Sequence, residues 1–277
     1  MSKINLITTV LAVVSVVFAC LTPSTAIAEQ SKATITQPEQ DAGDSEADID
    51  EEALVILKKA TDYITGLKHF TIKVLDTKDV VQASGQKIQF ASTIEVAVRR
   101  PNQLFGSWVR DDGTIRQLLY NGKTVTIYED AENVFGQIQA PDTIDKMFDY
   151  VETVMNSSQP LADLLDNDLS YLATLPLSGS YIGVCYLDGI GCDHLAFRGE
   201  TVDWQLWIDR GEKPLIQKMV ITYRHLSGEP QYTARLIDWD IQPNISDDLF
   251  EFSPPEGARQ IQVYVKKRIN PGEGGAQ

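Results

Sequence analysis

Between residues 48 and 67, apolar side chains recur at three- and four-residue steps: Ala53, Leu57, Ala60, Ile64 and Leu67. Asp48 or Asp50 is placed to cap the start and Gly66 lies near the end, so the spacing predicts an amphipathic helix with one buried face. The period then changes to two. Phe70, Ile72 and Val74 alternate with Thr71 and Lys73, and Ile88, Phe90, Ile94, Val96 and Val98 alternate with Lys87, Gln89, Thr93, Glu95 and Arg99, the mark of half-buried strands. Further strands are expected over residues 104–109, 116–120, 124–128, 181–187, 192–198, 202–208, 218–224 and 232–241. The pairs Asp112-Gly113, Asn121-Gly122 and Asp188-Gly189 separate several of them and favour the positive φ angles of tight hairpins. Midway, residues 142–155 carry Ile144, Met147, Phe148, Val151, Val154 and Met155 at helical spacing, and Pro160-Leu161-Ala162-Asp163-Leu164-Leu165 continues with a second short helix.

This order predicts an α+β fold: a large curved antiparallel sheet, a half-open barrel, with an N-terminal helix and a central helical lid. A sheet of that many strands curls, and helices inserted midway cover its concave face. Two outcomes fit the layout, a container for an apolar ligand and a filled core. For a container, the expected lining is Phe90, Ile94, Trp108 and Trp204 from the sheet with Met147, Phe148 and Val151 from the lid. Trp204 and Trp207 face opposite ways, so at most one of them joins that layer.

The N-terminus fixes the compartment. Lys3, the apolar run over residues 4–21 and Ala26-Ile27-Ala28 before Glu29 have the three parts of a secretory signal peptide. A periplasmic protein with its signal cleaved after Ala28 is expected, with no membrane span in the mature chain. The alternative is a lipoprotein anchored at Cys20, because Val17-Phe18-Ala19-Cys20 resembles a lipobox, although Phe18 is bulky for that motif. Residues 1–28 hold one base and no acid, leaving 39 acids against 23 bases. Nine of those acids crowd residues 29–52, opposed by Lys32, with few large apolar side chains to bury. The expected organisation is a signal peptide (1–28), an acidic leader (29–47), one domain (48–268) and a loose tail (269–277). A chain with net charge −15 repels phosphate backbones, so no nucleic-acid partner is expected.

With Asp188-Gly189 as a two-residue turn, Leu187 faces Ile190 and Cys185 faces Cys192. Opposite residues at a hydrogen-bonded position stand within disulfide range, so a Cys185–Cys192 bond is expected in an exported chain. Catalytic signatures are missing: there is no His-Glu-x-x-His, P-loop, Gly-x-Ser-x-Gly or Gly-x-Gly-x-x-Gly in the sequence. Two cysteines beside His194 do not match a zinc pattern. No metal, cofactor or catalytic residue is therefore expected. Asp193-His194 could form an acid–base pair only with help from elsewhere, because neighbouring strand residues point to opposite faces.

Cys192-Asp193-His194-Leu195-Ala196-Phe197-Arg198, then Asp203-Trp204-Gln205-Leu206-Trp207-Ile208-Asp209 with Pro214 and Lys218, resembles an uncharacterised bacterial family of predicted periplasmic proteins. Tyr120-Asn121-Gly122-Lys123, Ala140-Pro141-Asp142-Thr143-Ile144-Asp145, the Pro160–Leu165 run and the segment from Phe250 to Ala258 fit the same family. Its members are similar in fold to the outer-membrane lipoprotein carriers and receptors LolA and LolB, whose curved sheet and lid hold acyl chains. The resemblance implies a binding or carrier protein for a lipid, a lipoprotein acyl chain or another apolar ligand. The alternatives are an envelope interaction or assembly factor, with a protein partner there, and an enzyme using Asp193, His194 and Asp209.

Overall fold

The computed structural model describes residues 49–155 and 160–263; the signal peptide, the acidic leader and the tail expected from 269 onward lie outside the described residues. The chain begins with helix α1 (Glu51–Gly66), whose buried side chains include Ala53, Leu57, Ala60 and Ile64. Asp50 caps it by accepting from the Glu52 N–H at 2.9 Å. Six strands follow as a meander: β1 (His69–Val81), β2 (Lys87–Arg99), β3 (Gln103–Arg110), β4 (Ile115–Tyr120), β5 (Thr124–Glu129) and β6 (Val134–Gln139). Helices α2 (Ile144–Met155) and α3 (Ala162–Leu165) come next, with a 3₁₀ turn at Ser170–Thr174. A second meander completes the sheet: β7 (Ser178–Leu187), β8 (Ile190–Arg198), β9 (Val202–Asp209), β10 (Ile216–Tyr223) and β11 (Gln231–Asp240).

β1 pairs with both β2 and β11, so the two meanders fuse into one sheet of order β12-β6-β5-β4-β3-β2-β1-β11-β10-β9-β8-β7. All pairings are antiparallel except at one edge, where the short strand β12 (Arg259–Gln260) runs parallel to β6. The segment leading to β12 crosses the convex face. Phe250 is fully buried there with Arg99 over its ring, and Phe252 meets both Tyr128 and Phe135.

Register decides which side chains share a face. Val74 stands opposite Ile94, Ile94 opposite Trp108, and Leu104 opposite both Val98 and Tyr120. These positions, with Phe70, Ile72, Leu195, Phe197, Leu206, Met219, Ala234 and Leu236, form the apolar layer under the helices. The expected architecture is present, including the lid inserted between the meanders. β6 was not expected from the sequence, because Gly136, Gln137 and Gln139 dilute its alternation.

A smaller cluster lies on the other face, where Cys192, Trp207 and Val220 pack together with Cys185 and Leu187 beside them. His194 stacks on Trp207 at 4.1 Å and the Lys218 ammonium sits 4.3 Å from the same ring. The Asp188-Gly189 turn forms as expected, with φ of 51° and 86°, and it places Cys185 opposite Cys192. The disulfide does not form; both thiols are free. Cys192 instead points its sulfur at the Ile190 carbonyl, 3.6 Å away, beneath Trp207. Burial pushes its thiol up to about 11, and Cys185 stays half-exposed on the edge strand. A directly opposed pair bonds only if both χ1 angles aim the sulfurs at each other, and packing under Trp207 holds one of them elsewhere.

Gly179 marks a tight junction between the sheet edge and α1. A Cβ there would lie 2.5 Å from Phe197 Cδ1 and 3.3 Å from Ile49. Phe197 cannot move aside, because it is buried and stacked on Trp204 at 4.2 Å. Gly179→Ala is expected to destabilise the domain by about 1–3 kcal/mol, read as a lowered urea midpoint with unchanged far-ultraviolet circular dichroism.

Candidate functional site

The lid is tied down at one end by polar contacts. Arg100, at the β2–β3 turn, donates from Nη1 to the carbonyls of Leu165 at 2.7 Å and Asp166 at 2.6 Å, and to Asn167 Oδ1 at 3.1 Å. Its guanidinium also lies over the Phe70 ring. Burial lowers the Arg100 pKa, a cost that Asp145 and Asp166 oppose. Asn167 donates to Asp145 Oδ1 through its backbone N–H at 2.9 Å, and the N–H of Ile144, first in α2, donates to the Pro101 carbonyl at 2.9 Å. These bonds fix where the lid leaves the sheet and where it returns.

Away from that anchor, a cavity of about 250 Å³ opens between the lid and the concave face of β4, β5 and β6. Val125, Ile127 and Ile138 line it from the sheet, Val151 from α2, and Ile261 and Val263 from the segment after β12. Gly136 lets that segment approach, since a Cβ there would lie 2.6 Å from Val263 Cγ2. At one end stand Arg116 and Glu129, ion-paired to each other.

The seven residues expected to line a container spread over this concave layer. Val151 borders the cavity. Ile94 and Met147 are fully buried in the core between sheet and helices, and Trp108, Phe148 and Trp204 pack against that core. The Trp108 ring lies across Gly106. Phe90 occupies the open end of β2, opposite Lys78, and is 45% exposed. The sequence reading missed the cavity residues of β5 and β6 and the returning segment at Ile261–Val263, whose signal was only a short apolar alternation after the Pro254-Pro255 turn.

The Asp193, His194 and Asp209 side chains engage separate partners. Asp193 accepts from the Tyr181 hydroxyl at 2.9 Å and pairs with Arg210 at 2.9 Å. His194 Nε2 meets Gln205 Oε1 at 3.0 Å on the other face, and Asp209 accepts from the Gly211 N–H in the following turn. Among the described residues no group of three His, Cys, Asp or Glu side chains is placed to hold a metal ion, and no helix is long and apolar enough to cross a membrane.

Polar groups also sit beneath the lid. Asp76, on the concave face, accepts from Ser92 and Tyr232, and burial raises its pKa despite those bonds. Asp163 of α3 accepts from the Tyr171 hydroxyl at 3.1 Å. Burial pushes its carboxyl up to about 6, and Glu152 and Asp149 of α2 add to the rise. Tyr223 of β10, raised to about 12 chiefly by burial, also feels this carboxyl.

A family model for predicted periplasmic proteins (DUF2092) matches residues 53–264. No curated protein sequence matches the chain. Among solved structures, the lipoprotein LppX of Mycobacterium tuberculosis is 14% identical with a TM-score of 0.46, over 71% of this chain and 100% of its own. LprF from Mycobacterium bovis is 15% identical with a TM-score of 0.45, over 76% of this chain and 99% of its own. A LolA superfamily protein from Nitrosomonas europaea is 9% identical with a TM-score of 0.38, covering 72% and 97%.

The Asp163 environment yields a pH dependence of stability. A carboxyl that holds its proton more tightly in the folded chain stabilises the fold fully below its unfolded value of about 3.8, and that contribution is lost as pH rises through about 6. Asp163→Asn keeps an acceptor for Tyr171 and removes the charge. The variant is expected to be more stable than the parent at pH 7.5 by about 1–2 kcal/mol and to show a flatter profile between pH 4 and 7, measured by urea unfolding across that range.

Proposed function

The chain belongs to that family of predicted periplasmic proteins, and from this premise we propose that it holds an apolar ligand, a lipid or a lipoprotein acyl chain, between the sheet and the α2 lid. The observation that carries the reading is the cavity. Its lining side chains at Val125, Ile127, Ile138, Val151, Ile261 and Val263 come from the sheet, the lid and the returning C-terminal segment, three parts of the fold that close on one another there. A void of this size left dry forfeits packing contacts along its whole lining, so an apolar occupant gains both burial and dispersion. Export through the signal peptide, with cleavage after Ala28, delivers the chain to the compartment that the family description names.

Native mass spectrometry of the protein purified from a bacterial periplasm, followed by organic extraction, tests this. A co-purifying apolar molecule is expected at near one equivalent, and it is expected to disappear from Ile127→Trp, which fills the cavity from the half-buried β5 position. A bare protein mass in both, unchanged by added lipid, would sink the reading.

A further inference from the structure

The cavity is polar at one end and apolar at the other, along the direction of the strands. Register puts Arg116 opposite Glu129 and Glu129 opposite Val134 in one row across the concave face. Four residues deeper along β5, Val125 stands opposite Tyr120 and Ile138. At 3.3 Å per residue the two rows are about 13 Å apart. The intervening row, Leu118, Ile127 and Gly136, has no charge.

The polar end gathers two guanidiniums on one carboxylate. Arg116 and Arg110 share the single carboxylate of Glu129, Arg110 from Nη2 at 3.2 Å. Glu129 is the more buried partner, with its side chain 19% exposed against 47% for Arg116 and 36% for Arg110. Arg259 of β12 extends the same row, opposite Val134. Asp112, in the β3–β4 turn, also lies near Arg110, but its Oδ1 accepts from the Thr114 N–H at 2.9 Å and hydroxyl at 2.7 Å. Two guanidiniums therefore share one carboxylate at the polar end of an apolar slot, with Arg259 in the same row and the Asp112 charge close to Arg110. One carboxylate satisfies at most part of the fork of donors that each arginine presents.

The volume limits the tail. At about 250 Å³ the cavity lies just below the range of about 300–1,000 Å³ usual for sites that bury a drug-sized ligand. A two-chain lipid exceeds it. We infer that the cavity takes a single-chain anionic amphiphile, its carboxylate or phosphate headgroup on Arg116 and Arg110 and its alkyl chain running between β5, β6 and Val151. This rests on the apolar-ligand reading and adds to it the headgroup charge, the orientation and the number of chains.

Calorimetric titration of the purified chain with decanoate, decyl phosphate, decanol and decyltrimethylammonium, each below its micellar concentration, tests the inference. At least one of the two anions is expected to bind about tenfold or more tightly than decanol, and which of them binds better identifies the headgroup as carboxylate or phosphate. The cation is expected not to bind. Arg116→Gln should abolish the anion preference while leaving decanol affinity unchanged, a split that loss of folding would not produce. Glu129→Gln should raise anion affinity by freeing both guanidiniums, which makes the test independent of any single variant. Equal binding of decanoate, decyl phosphate and decanol overturns the headgroup assignment and leaves the apolar-ligand reading standing. Binding by none of the four overturns both.

Discussion

The side chains that meet on the concave side of the sheet, from Phe70, Ile94 and Leu104 of the first meander to Leu195, Leu206, Met219 and Leu236 of the second, form an apolar surface spanning both meanders. In water that surface would cost more than the fold could recover elsewhere, so cover has to come from outside the sheet. α1 supplies part, and the lid inserted between β6 and β7 supplies the rest. The topology follows from this requirement. Each meander alone would leave its half of the concave face open, whereas pairing β1 with β11 brings both halves under the same helices.

The lid meets the sheet through two kinds of contact with different consequences. At the β2–β3 turn it is held by directional bonds: Arg100 to three lid oxygens, and Ile144 to Pro101. Removing these oxygens together would strand part-buried donors, and such losses are costly. Further along α2, Val151 rests on the edge of a cavity, where contacts are non-directional and partly absent. α3 itself carries a carboxyl, Asp163, that resists ionising. Local stability therefore falls from the Arg100 anchor toward the cavity, the gradient expected of a segment that yields in one place while remaining attached in another. The returning Ile261–Val263 segment closes the cavity from the sheet edge, so access does not depend on lid movement alone.

Most of the architecture was legible because its signals are periodic. The 48–67 helix, nearly all the strands and the Asp188-Gly189 hairpin register each follow from spacing plus a turn preference. The cavity was not legible, for a physical reason. Ile94, Met147 and Trp108 are large and apolar, and so were natural choices for a lining, yet size and hydrophobicity are the same properties that fill a core. What distinguishes the cavity is a C-terminal segment that arrives from more than a hundred residues away and packs against Gly136. The free cysteines teach a related point. Register was readable from the turn, but direct opposition alone does not join the sulfurs, and that of Cys192 turns to the Ile190 carbonyl.

Net charge argued against polyanions, and at first sight it also argues against any anionic ligand. The two cases differ in distance. The Debye length at physiological ionic strength is about 8 Å, so charges farther than that from the cavity mouth act on it only weakly. A headgroup within hydrogen-bonding distance of Arg116 and Arg110 interacts at about 3 Å, where screening by salt has little room to act. A nucleic acid has to bring many phosphates against the whole acidic surface at once, whereas a one-chain amphiphile presents a single charge to two guanidiniums that share one carboxylate. The same composition that turns away the first is compatible with holding the second.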